Sequence, residues 1–211
     1  MTPEWSEAGP RRRDWQVLAK RIFDVLLSGA TLLALSPLLI TIGVLMKLTS
    51  PGPILYRWHV VGKGGEPFVG YKFRTMILGA DRMREELQHQ SEMSGPFFKM
   101  KRDPRVTPVG RLLRKYSLDE LPQLWSVLKG DMSLVGPRPT QVFEYEQLEE
   151  WQKRRGTVRP GGICLWHVRG KTNDFDEMVR VDLEYIDNWS LWLDIKVLAQ
   201  AVPYVLLGRN Y

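Results

Sequence analysis

Asp119 and Glu120 stand side by side at the start of an apolar helical pattern, Leu121, Leu124, Trp125 and Leu128. Upstream lie Lys99, Lys101, Arg102, Arg105, Arg111, Arg114 and Lys115, opposed only by Asp103. Downstream, Gly136-Pro137-Arg138-Pro139 is a stiff turn that holds one guanidinium in place. Carboxylates hold Mg²⁺ or attack phosphorus, and cations neutralise phosphate oxygens. An acidic pair in a basic bowl therefore fits metal-assisted phosphoryl transfer. Capping competes as an explanation, because Ser117 and Glu120 have capping-box spacing and acidic residues favour a helix N-terminus. Pro122 puts the helix start near residue 118 or 119, since proline is tolerated only in the first turn. The two roles are compatible: a carboxylate on a first turn is rigid and faces solvent.

The rest of the chain must position this pair. Its 211 residues, 44% of them apolar, suffice for one domain plus an anchor. A net charge of +6 favours an anionic partner: nucleic acid, lipid headgroups or a phosphorylated substrate. The single cysteine, Cys164, excludes an internal disulfide and a cysteine-based zinc site, and His59, His89 and His167 lack metal-ligand spacing. Eight tryptophans suit either a core or a membrane interface.

Residues 1–19 read as a mobile basic arm, either touching headgroups or without a role. An uncharged run from Val25 to Met46 follows Lys20-Arg21-Ile22-Phe23-Asp24. As a helix it spans ~33 Å, close to a bilayer's hydrocarbon core. Ser36-Pro37 interrupts its middle, and cations flank both ends, so the positive-inside rule puts both ends in the cytoplasm. A re-entrant helix-break-helix over 20–48 satisfies both facts, with Ser36 bonding a carbonyl freed by the kink. A kinked full span is the alternative. The apolar run also makes a nucleic-acid partner a poor reading of the charge.

Residues 49–211 read as the catalytic domain. Ile54–Val61 and Pro67–Thr75 flank a glycine-rich turn and predict a β-hairpin. Lys72 and Arg74 alternate on one face of its second strand, either solvated or aimed at phosphates. Residues 77–90 predict a charged helix and Arg111–Lys115 a short basic one. Phe143–Arg155 and Phe175–Trp189 predict amphipathic helices, the latter with Phe175, Met178, Val179, Leu183, Ile186 and Trp189 near one face. Leu191–Leu207 is apolar and broken at Pro203, either core or interfacial. The expected class is α+β, mainly helical.

These residues resemble the bacterial sugar transferases, or monotopic phosphoglycosyl transferases, over roughly 20–211. The likeness rests on Lys20–Asp24, Ser36-Pro37, Tyr71–Met76, Ser117–Leu128, Gly130–Pro139 and Asn188–Asp194. It implies transfer of a sugar-1-phosphate, a hexose by preference, from a UDP-sugar to polyprenyl phosphate at the cytoplasmic face of the bacterial inner membrane. Asp119 would be the nucleophile and Glu120 would support Mg²⁺, with both acidic residues as metal ligands. Arg138, set by Pro137 and Pro139, would hold phosphate, with Lys72, Arg74, Arg105, Arg111 and Arg114 as further contacts. Membrane phospholipid and a homodimer follow from the same likeness. Where the family usually reads Pro-Gly-Ile-Thr-Gly-Leu-Trp-Gln, this chain has Pro160-Gly161-Gly162-Ile163-Cys164-Leu165-Trp166-His167. A rival of another class is a catalytically silent membrane scaffold that binds anionic lipid or a biosynthetic partner.

Overall fold

The computed structural model describes residues 14–170 and 172–208. Two apolar helices come first, α1 (Asp14–Ala34) and α2 (Ser36–Thr49), bent by 60° at Leu35. Proline 37 has no N–H for the Leu33 carbonyl four residues back, and the Ser36 hydroxyl donates to that oxygen instead, at 2.8 Å. The serine thus fills the role expected of it. No single described helix is long and apolar enough to cross a membrane, but this bent pair passes that test together. Residues 14–19, read above as the end of an arm, are already helical, and residues 1–13 lie outside the described residues.

The hairpin forms as expected. Strands β1 (Leu55–Val61) and β2 (Pro67–Phe73) pair antiparallel, with Trp58 opposite Gly70. Residues 77–90 do not make one helix: turns lead into a short α3 (Arg84–Leu87). Gly79 takes a left-handed φ of 78°, which halts helix growth at its first turn. The basic helix α4 (Pro108–Lys115) starts with proline at its first position, and Thr107 Oγ1 accepts from the Gly110 N–H at 2.9 Å. After the acidic pair come α5 (Gln123–Lys129), β3 (Ser133–Val135) and β4 (Thr140–Gln141), the last pairing with β1.

The helix expected over Phe143–Arg155 is instead α6 (Val142–Tyr145) and α7 (Glu150–Lys153), separated because Leu148 turns into the core and Glu149 starts a new capping box. Strand β5 (Gly161–Ile163) pairs parallel with β3, then α8 (Leu165–Arg169), α9 (Phe175–Asp187) and α10 (Leu191–Leu206) close the chain. Helix α10 runs through Pro203 without the expected break.

The main core gathers Val127, Met132, Val135, Met178, Leu183 and Val197 around the β3–β5 pair. A smaller cluster, Ile42, Met46, Phe73 and Leu113, joins α2 to β2 and α4. The fold is mainly helical α+β with two small sheets. Charged side chains fasten α1 to this body. Lys20 Nζ donates to Asp194 Oδ2 at 2.6 Å and to the Val135 carbonyl at 3.1 Å. Arg21 donates to the Val127 and Leu128 carbonyls at the end of α5, and Asp24 accepts from Ser133 Oγ and the Leu134 N–H. Arg21 thereby caps carbonyls of the last turn of α5.

Candidate active site

Ser117 takes a left-handed conformation, φ 52° and ψ 23°, and its side chain makes no cap. The capping box expected from its spacing to Glu120 does not form. A left-handed Ser117 cannot serve as an N-cap, which needs extended dihedrals. Leu118–Glu120 is a tight 3₁₀ turn instead, and α5 begins three residues after it. With capping gone, the acidic pair is left to other uses.

Both carboxylates line an open cleft of about 1740 Å³. Asp119 is 9% exposed, and among the described residues no side chain pairs with its carboxylate. Glu120 accepts from Lys72 Nζ at 2.8 Å, and that ammonium sits 4.0 Å from the centre of the Trp58 ring. Burial pushes the Asp119 carboxyl up, the adjacent Glu120 charge adds to it, and Lys72 and Arg114 recover only part, leaving it at about 6. Burial acts on Glu120 in the same sense. There the charge and hydrogen bond of Lys72, then His167 and Arg138, outweigh it and hold the carboxyl at about 2. The pair is therefore split into one paired anion and one unpaired, desolvated carboxyl.

Arg138 faces the cleft between Phe97 and Trp166, its guanidinium 5.7 and 5.6 Å from the two ring centres. Its backbone is held from both sides. The N–H donates to Asp182 Oδ2 at 3.2 Å, and the carbonyl accepts from Arg155 Nη2 at 2.9 Å. Arg155 also pairs with Asp182, and both are buried. The turn itself depends on close backbone approach: a Cβ at Gly161 would lie 2.1 Å from the Gly136 nitrogen. Pro139 also lines the cleft.

The remaining cations divide. Lys72 lies beside the dyad, and Arg114 bonds Thr75 Oγ1 at 2.8 Å while its charge reaches Asp119. Arg74 lies just beyond β2, buried, and donates to the Pro51 and Ser50 carbonyls. Arg105 is buried in a two-point pair with Asp103 and donates to the Ala80 carbonyl. Both arginines also line the cleft, while these bonds tie them to neighbouring loops, so Lys72 and Arg74 are not a merely solvated strand face. Arg111 is exposed on α4 and does not line the cleft. Sequence reasoning missed Asp182 and Arg155. A signal was present: Asp182 follows Met178 by four residues, which places a charge on the apolar face of α9.

A split carboxylate pair facing a cleft lined by many cations, Lys72, Arg114 and Arg138 among them, is suited to handling phosphate esters. The chain belongs to the bacterial sugar transferase family, which matches residues 15–208. It is 42% identical over 197 residues to the galactosyl transferase CpsE of Streptococcus agalactiae, covering 92% of this chain and 43% of that one. It is 39% identical to the exopolysaccharide production protein ExoY of Sinorhizobium fredii, covering 92% of this chain and 88% of that one. A third relative is the undecaprenyl-phosphate galactose phosphotransferase of Salmonella typhimurium, 42% identical with 89% and 40% covered. The chain thus spans less than half the length of CpsE and of the Salmonella protein, and most of ExoY.

Proposed function

We propose that this protein transfers a sugar-1-phosphate from a UDP-sugar to polyprenyl phosphate and releases UMP, as the first step of surface-polysaccharide assembly. The observation that carries this reading is the unpaired Asp119 carboxylate at the cleft, beside a Glu120 already neutralised by Lys72. An Asp119 oxygen attacks the β-phosphorus, and the bond to the bridging oxygen breaks, leaving with UMP. A phosphate oxygen of the acceptor then attacks the same phosphorus and frees the carboxylate, forming the polyprenyl diphosphate sugar. Arg138 and Arg114 supply fixed positive charge where phosphate oxygens must lie.

The residues fit Mg²⁺. Among the described residues no cluster of three His, Cys, Asp or Glu could hold a metal, so a closed protein cage does not form there. Mg²⁺ is commonly bound by one or two carboxylates together with substrate phosphates, a requirement that Asp119 and Glu120 meet. When bound it supplies charge neutralisation at the phosphates.

An apolar surface supports a membrane-side approach of the acceptor. Leu26, Leu33, Ile40 and Leu48 on the bent pair are exposed, as are Trp192 and Leu206 on α10. Such a surface suits contact with membrane phospholipid, and a re-entrant anchor in the inner membrane keeps the cleft at the cytoplasmic headgroups. The test is UMP release by detergent-purified protein with Mg²⁺, polyprenyl phosphate and a panel of UDP-sugars. Release with at least one sugar, lost in Asp119→Asn, is expected. Equal release by the variant overturns the nucleophile, and silence across the panel by folded protein favours the scaffold.

A further inference from the structure

In the stretch Pro160–His167, Trp166 flanks Arg138 and Gly161 supports its turn, while His167 lines the same cleft as the dyad without a role so far. His167 is close enough to Glu120 for the ring's charge, when protonated, to act on that carboxyl. The ring is held in one orientation. Its Nδ1 lies 3.4 Å from the backbone nitrogen of Cys164 and 3.3 Å from its sulfur, completing a capping arrangement at the start of α8. Cys164 is fully buried, and burial pushes its thiol up to about 12, so it stays a protonated, inert support. Trp166 packs against the imidazole with ring centres 5.4 Å apart.

A backbone N–H can only donate, so Nδ1 must accept. The one ring proton of the neutral imidazole then resides on Nε2, on the side of the ring away from Cys164. We propose that His167 is a donor-binding residue whose Nε2–H donates to an oxygen of the UDP-sugar, either a sugar hydroxyl, where it would set specificity, or a phosphate oxygen. The inference rests on the transferase reading. It follows from geometry: the Cys164 bond fixes the tautomer, and α8 aims the ring at the cleft that contains the dyad. A site built to bond a hydroxyl discriminates against a sugar that lacks it. Glutamine can reproduce both bonds, its carbonyl accepting from the Cys164 N–H and its amide donating to the cleft. Alanine can make neither.

The experiment compares wild type, His167→Ala and His167→Gln in steady-state UMP release with UDP-glucose, UDP-galactose and their N-acetylated counterparts, with UMP as a competitive inhibitor. The wild-type arm separates the two ideas: no turnover there is a failure of the transferase reading, not of His167. Given turnover, kcat/KM should fall roughly five- to tenfold in His167→Ala and recover in His167→Gln. A loss confined to some sugars, with UMP inhibition unchanged, assigns the bond to a sugar hydroxyl. An equal loss for all sugars assigns it to phosphate: to the α-phosphate if UMP inhibition also weakens, and to the β-phosphate, which UMP lacks, if it does not. Unchanged kinetics in a folded His167→Ala overturns the proposal. So does a His167→Gln variant as impaired as alanine, because the ring would then act only as packing.

Discussion

Asp119 and Asp182 are both buried, and in both burial is the first cause that pushes the carboxyl up to about 6. They do opposite work. Asp182 meets Arg155 and the Arg138 N–H and has no access to solvent. Asp119 has Glu120 beside it, no side-chain partner among the described residues, and an open cleft in front. A raised carboxyl therefore marks burial in either case. Access to the cleft separates a reacting group from a strut.

The strongest test of that contrast is Asp119→Asn. Turnover should fall at least about a thousandfold, since an amide oxygen is no nucleophile toward phosphorus. The thermal midpoint should hold or rise, because the amide removes a like charge beside Glu120. Asp182→Asn should do the reverse in order of severity. It leaves the Arg155 cation buried without its counter-charge, at a cost of about 4 kcal/mol in denaturation experiments. Activity should then fall through a raised KM for the UDP-sugar as the Arg138 turn loosens. Replacing both partners by apolar residues, Asp182→Leu with Arg155→Met, should restore the midpoint and leave the KM defect. If Asp182→Asn instead lost turnover at an unchanged midpoint, Asp182 would be chemical and the contrast would collapse.

What could be read from the chain follows the same division. The dyad, the Arg138 turn, the hairpin and the helix break were legible because each is written in adjacent residues: Asp119-Glu120, Pro137-Arg138-Pro139, Ser36-Pro37. The partners that decide a cation's role lie far away in sequence or on backbone atoms. Arg74 lines the cleft but is also tied to the Ser50 and Pro51 carbonyls, and Lys20, a flanking charge in sequence, also pairs with Asp194. Amphipathic periodicity was reliable for Phe175–Asp187, where one face is fully buried, and failed over Phe143–Arg155, which a new capping box at Glu149 divides. The charged helix expected over 77–90 is mostly exposed, with little packing to support it.

A second strut, Asp103, sharpens the contrast through pH. Burial alone would raise its carboxyl, but the side-chain and backbone bonds of Arg105 and its charge outweigh that and hold it below the usual range. A depressed folded value means stability that is present above the unfolded pKa, about 3.9, and lost as pH falls through the lower folded one. Asp103→Asn should therefore cost about 3 kcal/mol at pH 7, and the gap to wild type should close on acidification below about pH 4. A gap that stayed constant with pH would show that shape, not charge, holds the loop.

The smallest effect concerns how Asp119 is presented. A left-handed Ser117 costs about 1–2 kcal/mol, while glycine adds about 0.5–1 kcal/mol of unfolded-state freedom. Ser117→Gly should thus gain only about 0.5 kcal/mol of stability. Its consequence for turnover is separate. Asp182 is carried on a regular helix, whereas Asp119 follows a strained turn, and strain of this kind persists where the surroundings fix one conformation. If that turn aims the carboxylate, the glycine variant should lose turnover severalfold while its midpoint edges upward. Equal turnover would make Ser117 an ordinary bend, and the cleft walls alone would set the nucleophile's aim.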